Sequence, residues 1–176
     1  MGQEIIIITV TIKEKQDFVV GTIKGLYDEY GIRYILEATA AIKEEGHIPI
    51  KLHIAGNGPQ EKEYREFAEY IGISDITTWL GFLSQERAAE EWANMDIAII
   101  PSTLESESFG VASVEVQACV TPVIISDIPG LMESTEPGKP CIVVKRCESE
   151  EIKDAIVELY EIKLQRNGSQ WCRVWF

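Results

Sequence analysis

Short, almost wholly apolar runs bounded by turn residues alternate along this chain with stretches whose apolar residues recur at helical spacing. Residues 18–21 read as a buried strand. Ile32, Ile35, Leu36, Thr39 and Ile42 then follow a helical period that Gly46 closes. Residues 50–54 read as the next strand, broken by Ala55-Gly56-Asn57-Gly58-Pro59. Pro59 suits a first helical position, with Glu61 and Glu63 in the electropositive first turn. Tyr64, Phe67, Ala68 and Ile71 make an apolar stripe that Gly72 ends. Further strands are expected at 76–80, 96–100, 122–125 and 141–144. Helices are expected from a Ser84 N-cap to Asn94, over 111–119, and from about residue 149 with Ile152, Ala155, Ile156 and Leu159 on one face. About six such strand-helix cycles predict an α/β, doubly wound, Rossmann-like parallel sheet covered on both faces. In that class ligands bind beyond the carboxyl ends of the strands.

Several function classes are disfavoured by composition. Sixteen Lys and Arg stand against 29 Asp and Glu, a net charge of −13, which argues against nucleic acid as a partner. The longest unbroken aliphatic run, residues 5–8, is far from the roughly 18 residues that a membrane span needs. The amino terminus lacks the features of a secretory signal, since Glu4 comes early and no small-residue cleavage site follows. Four cysteines, at 119, 141, 147 and 172, include no C-x-x-C pair, and reduced buried thiols in a cytoplasmic protein are expected. Residues 1–17 are expected to form a linker or an extra edge strand, 18–164 the Rossmann-like domain, and 165–176 a tail. That tail carries Trp171, Trp175 and Phe176, so a structural partner is expected for it, or self-association through it.

Three strand-to-helix loops could carry chemistry. Gly56-Asn57-Gly58-Pro59 lacks the third glycine of a dinucleotide fingerprint, since Glu61 stands there. It is either a tight turn or a loop that lets a ligand approach the backbone. The second loop runs from Ser102 through Glu105, Glu107, Phe109 and Gly110 into the helix that bears Glu115. A helix start with Gly110 offers unpaired N–H groups to a phosphate. Glu107 and Glu115 are offset by about 7–8 Å along the helix axis, the scale of a diphosphate between two sugars. Equally, Glu107 reads as a complement to the helix dipole, and Glu115 and Glu105 as solvated positions. The third loop, Gly21-Thr22-Ile23-Lys24, offers a countercharge for phosphate or an ordinary surface lysine. No phosphate-loop signature, nucleophile elbow or D-x-D pair occurs, and His47 and His53 read as structural.

With these residues in view, Glu107-Ser-Phe-Gly-Val-Ala-Ser-Val-Glu115 resembles the E-x7-E motif of retaining family 4 glycosyltransferases, the group 1 glycosyltransferases. The run 116–130, Glu133, the Val20-Gly21 pair, the loop 55–59 and Trp79-Leu80-Gly81-Phe82 resemble further landmarks of that family in the same order. The resemblance covers about residues 18–160. It implies one half, the carboxyl-terminal donor-binding domain, of a two-domain B-type glycosyltransferase fold. The other half, an acceptor domain, would be a partner, and any peripheral membrane contact would belong to it. The implied reaction moves a sugar, of the hexosyl type, from a nucleotide-diphosphate sugar to a glycan, lipid or small-molecule acceptor.

The resemblance also implies roles. Glu107 would act on the donor sugar and Glu115 would hold the ribose. Phe109, Gly110 and Val111 would meet sugar and diphosphate through their backbones. Gly21, Thr22 and Lys24 would lie at the phosphates. Gly56, Gly58, Leu80 and Phe82 would lie near base and ribose. No metal or other cofactor is expected, the nucleotide sugar being the substrate. Two departures stand out: the family places an arginine where this chain has Thr22 and a lysine where it has Tyr30. Lys24 is the candidate substitute for that charge. Val120 stands where a glycine is common, a change expected to tighten a turn without touching chemistry. The residues 1–176 alone are expected to bind nucleotide but transfer little. Two rival readings follow: a non-catalytic nucleotide- or sugar-binding module, favoured by Thr22, and an epimerase or phosphorylase on the same fold.

Overall fold

The computed structural model describes residues 17–104, 110–135 and 141–165. Of the expected amino-terminal strand or linker over residues 1–17 only Asp17 is described, and of the expected tail over 165–176 only Gln165, which belongs to the last helix. Among the described residues, six strands form one sheet: β1 (Phe18–Ile23), β2 (Ile50–Ala55), β3 (Thr77–Gly81), β4 (Ile97–Ile100), β5 (Val123–Ser126) and β6 (Cys141–Val144). Their order is β3-β2-β1-β4-β5-β6, and every pairing is parallel. Helices α1 (Ile32–Glu45), α2 (Glu61–Tyr70), α3 (Gln85–Asn94), α4 (Val111–Ala118), α5 (Pro129–Glu133) and α6 (Ser149–Gln165) make the connections. This is the doubly wound, Rossmann-like fold that the alternation predicts.

Two apolar layers follow from the period of two along each strand. Phe18, Val20, Ile97, Ile99 and Ile124 face the layer covered by α1, α2 and α6, where Ile35, Tyr64 and Ile156 are buried. Val19, Ala98, Ile100, Val123 and Ile125 face the opposite layer, closed by Trp92 of α3, Val116 of α4 and Leu131 of α5. The helix from Ser149 buries the four residues that its periodicity names. Its far end is pinned to the sheet by Lys163, which donates to Asp96 Oδ1 at 2.8 Å while Asp96 Oδ2 accepts the Val19 N–H at 2.8 Å.

Some local expectations are corrected. Pro59 stands two residues before α2, whose N-cap is Gln60, because residues 58–60 are held in a turn against Leu26. The expected strand at 76–80 begins one residue later, behind a 3-10 turn at Ser74–Ile76. The short helix α5 and a 3-10 turn at Asp28–Tyr30 were not legible, both being too short to show a period. The expectation of buried thiols fails for the described cysteines: Cys119 and Cys141 are half-buried and Cys147 is exposed. Val120 adopts φ 61°, in the left-handed region, directly after α4 and its C-cap Cys119.

Candidate functional site

The chain leaves β1 toward β2 and β3, then returns through α3 to β4 on the other side of β1. The carboxyl ends of β1 and β4 therefore flank a topological switch point, where this fold class opens a crevice. Lys24 follows the last residue of β1, and Pro101 the last of β4. Helix α4 starts beyond Gly110, which as N-cap has no side chain to cap it. Its first-turn N–H groups are the kind that a helix leaves for an anion.

Gly110 is buried because α5 lies against it. A Cβ there would sit 2.5 Å from Leu131 Cδ2 and 3.0 Å from Ser134 Oγ. Val111, the first residue of α4, is 61% exposed. Glu115 is exposed one turn further on. With Gln85, Trp92 and Cys119 it lines a cavity of about 140 Å³ between α3 and α4. Burial, and then the Glu115 charge, push the Cys119 thiol up.

A row of polar contacts fixes the start of α4. The Ser113 hydroxyl donates to the Gly110 carbonyl at 2.7 Å and meets the Ser134 hydroxyl. Gln117 Nε2 donates to the carbonyls of Ser113 and Ser134, each at 3.0 Å. Ser113 and Gln117 lie four residues apart on the buried side of α4, so this polar pair beside buried Val116 was a signal that could have been found.

The glycines of the loop after β2 let it close against the loop after β1. Gly56 has φ 125°, and a Cβ on it would overlap the Lys24 carbonyl oxygen at 1.9 Å. A Cβ on Gly58 would lie 2.3 Å from the Leu26 oxygen. Backbone hydrogen bonds from Lys24 to Ala55, from Leu26 to Asn57 and from Gln60 to Leu26 zip the two loops together. Gly56 N–H also donates to the Gly81 carbonyl at 2.7 Å, which joins the Leu80–Phe82 segment to the same edge. Leu80 is half-buried there and Phe82 is 77% exposed.

Gly21 lies inside β1, where a Cβ would strike the His53 oxygen at 2.3 Å and Met95 Cε at 2.8 Å. Its missing side chain thus serves packing. Thr22 is fully buried, and its hydroxyl has no hydrogen-bond partner among the described residues. The same holds for Ser102, just past β4. Lys24 is half-buried with its ammonium 4.5 Å from the centre of the Tyr30 ring. His53 Nδ1 lies 2.6 Å from Glu91 Oε1 on α3. Glu105, Glu107 and Phe109 lie outside the described residues. Among the described residues, no three His, Cys, Asp or Glu side chains cluster to hold a metal ion, and no helix is long and apolar enough to cross a membrane.

The family model described as "Glycosyl transferases group 1" matches residues 4–169. The chain belongs to the group 1 glycosyltransferases. Within that family, a D-inositol 3-phosphate glycosyltransferase of Mycobacteroides abscessus is 34% identical over 120 residues, covering 68% of this chain and 26% of that protein. An uncharacterized glycosyltransferase of Methanocaldococcus jannaschii is 32% identical over 103 residues, covering 58% of this chain and 25% of that protein. Among solved structures, Anabaena HepE in complex with UDP-glucose superposes with a TM-score of 0.75 at 25% identity, covering 89% of this chain and 42% of that one. The catalytic domain of the cholesterol-alpha-glucosyltransferase from Helicobacter pylori shares the fold, with a TM-score of 0.70 at 18% identity over 90% of this chain and 96% of that one. The chain spans under a third of the length of these two curated relatives, and under half of HepE.

Proposed function

We propose that the chain is the donor-binding, carboxyl-terminal half of a retaining glycosyltransferase. The whole protein would move a hexosyl group from a nucleotide-diphosphate sugar to an acceptor hydroxyl. The observation that carries this reading is the placement of α4. Its start at Gly110 lies past the carboxyl end of β4, the strand paired with β1, and Glu115 stands exposed one turn in. A diphosphate at the helix start would put a ribose within reach of that carboxylate. Glu107, just before the helix, would then face the donor sugar. The UDP-glucose in the complex of HepE makes a nucleotide sugar the donor class to test first.

In this reading the leaving diphosphate is stabilised by the α4 N–H groups and by Lys24, without a bound metal. Oriented N–H dipoles cost no reorganisation as charge develops, which is why a helix start suits a departing phosphate. The acceptor would approach from the domain that the longer relatives carry. A chain limited to this half would bind nucleotide and transfer little, since half of the cleft that orients the reactants belongs elsewhere. The protein would act in the cytoplasm, where nucleotide sugars are available. A second reading, a non-catalytic nucleotide-binding module, draws on Thr22, whose buried neutral side chain stands where the family resemblance places an arginine.

Calorimetric titration of the 176-residue chain with UDP, GDP, ADP and their sugars tests the reading, first without divalent metal and then with magnesium. Saturable metal-independent binding that Glu115→Ala weakens is the expected result. Binding that requires magnesium would remove the metal-free mechanism, and binding unaffected by Glu115→Ala would remove the ribose role.

A further inference from the structure

Two serine hydroxyls meet behind the first turn of α4, and between them they have one proton too few. Ser113, the third residue of the helix, is fully buried, and Ser134, just past α5, is buried as well. Ser113 Oγ lies 2.7 Å from the Gly110 carbonyl oxygen, and Ser134 Oγ lies 2.7 Å from that of Leu131. Each contact needs the hydroxyl as donor, because a carbonyl only accepts. The two hydroxyl oxygens are also within hydrogen-bond contact of each other. A serine hydroxyl carries one proton, so these three contacts share two protons. Gln117 does not supply a third, since its Nε2 is turned to the carbonyls of Ser113 and Ser134, each at 3.0 Å.

Two arrangements satisfy the contact between the hydroxyls. In the first, Ser113 donates to Gly110 and accepts from Ser134, whose bond to Leu131 is given up. In the second, Ser134 donates to Leu131 and accepts from Ser113, and Gly110 loses the hydroxyl. The Gly110 carbonyl keeps its backbone donors in both, Ser113 N–H at 2.9 Å and Val114 N–H at 3.2 Å. What changes is how far the peptide between Gly110 and Val111 is polarised. The N–H of that peptide belongs to Val111, the first residue of α4, ahead of the helix's own ladder. A hydrogen bond to a peptide carbonyl strengthens the donor at the other end of the same peptide, by about 10–30% per bond.

We infer that Ser113 is a positioning residue for the bound diphosphate: its hydroxyl, donating to the Gly110 carbonyl, primes the Val111 N–H for a phosphate oxygen, and Ser134 competes for that proton. The inference rests on the donor-binding reading above, which seats the diphosphate at the start of α4. Ser113 touches no ligand atom; it acts through the peptide in front of it. A phosphate oxygen at the Val111 N–H draws charge onto the Gly110 carbonyl and so favours the first arrangement. By linkage, the first arrangement favours the phosphate to the same extent. Gly110 leaves room for this exchange, because a Cβ there would lie 2.9 Å from Ser113 Oγ and 3.0 Å from Ser134 Oγ. The end of α5 thereby sets the strength of the seat from the buried side of α4.

The test compares the full 176-residue chain with Ser113→Ala and Ser134→Ala, each checked for folding by its circular dichroism melt. Both substitutions keep the backbone carbonyls that Gln117 holds, so the clamp between α4 and α5 survives. UDP, GDP and ADP are titrated by calorimetry, and the Val111 amide is followed by NMR up to saturation. Ser113→Ala is expected to weaken the preferred diphosphate about threefold and to shrink the downfield shift of the Val111 amide proton. Ser134→Ala removes the competitor, so it should keep the wild-type affinity or gain up to about twofold, with a shift at least as large. Loss of affinity in both variants would make the seam a plain brace for α4 and overturn the inference. Wild-type affinity in Ser113→Ala would overturn it too, as would a Val111 amide that stays in place while a nucleotide saturates. In these outcomes a diphosphate still binds, and the donor-binding reading is left standing. Wild-type chain that binds none of the three diphosphates would overturn the reading and the inference together.

Discussion

Gly58 lies against Leu26 so closely that a Cβ on the glycine would sit 2.3 Å from the leucine carbonyl oxygen. The two loops that carry Lys24 and Gly56 are thus one surface, built backbone on backbone. Any side chain between them forces the loops apart.

Gly56→Ala should therefore be costly. Its φ of 125° and the 1.9 Å approach to Lys24 O combine strain with a clash against backbone. We expect a loss of about 2–4 kcal/mol, read from urea denaturation, with weaker nucleotide binding besides. A variant with the wild-type urea midpoint would show that the loops separate freely.

Val120→Gly should do the opposite. A β-branched residue at φ 61° is strained, and Val120 occupies the turn after α4, where its N–H still donates to Gln117 at 3.1 Å. Relief of about 1 kcal/mol would raise Tm by about 2–4 °C in a domain of this size. A lower Tm in a scanning calorimeter would mean that the valine's packing outweighs the backbone strain.

Gln117→Met keeps the shape of a buried side chain and removes two donors. The carbonyls of Ser113 and Ser134 then lose partners at 3.0 Å each. The expected cost is about 1–3 kcal/mol, and the seam between α4 and α5 should exchange its amide hydrogens faster. Unchanged exchange at Ser113 and Ser134 would argue that the seam is held by Leu131 alone.

Alkaline stability should reflect two protons that the folded state holds tightly. Burial, only partly offset by a hydrogen bond with Thr135, pushes the Cys141 thiol from its ordinary 9.0 up to about 11. A hydrogen bond with Cys147, together with burial, pushes the Tyr34 phenol from 10.0 up to about 12. Both values are raised on folding, so their contribution is complete below pH 9 and is lost as pH rises through 11 and 12. The urea midpoint should fall between pH 9 and 11, and Cys141→Ala should flatten that fall. A profile identical in the two proteins would contradict the assignment to Cys141.

The fold was largely written in local periodicity. Continuous apolar runs such as Ile97–Ile100, buried on both faces, and period-3.6 helices such as α6 are legible residue by residue, because each pattern depends only on neighbours a few positions away. Parallel order followed from strand length and the intervening helices. The family motif likewise puts Gly110 at the start of α4 and Glu115 one turn inside it. What the sequence could not state was contact between segments: Gly56 and Gly58 against Lys24 and Leu26, Ser113 against Ser134, and Gly31 against Pro101. These partners are some 20 to 70 positions apart, and no local pattern records a distance across the sheet edge. Nor did it show Lys24 over Tyr30, since their short turn has no period to read and their meeting depends on Gly25 leaving room for two rings. Local sequence chose the elements by burying one face of each; only tertiary packing decided which loops touch, because that depends on where the sheet order brings their ends together.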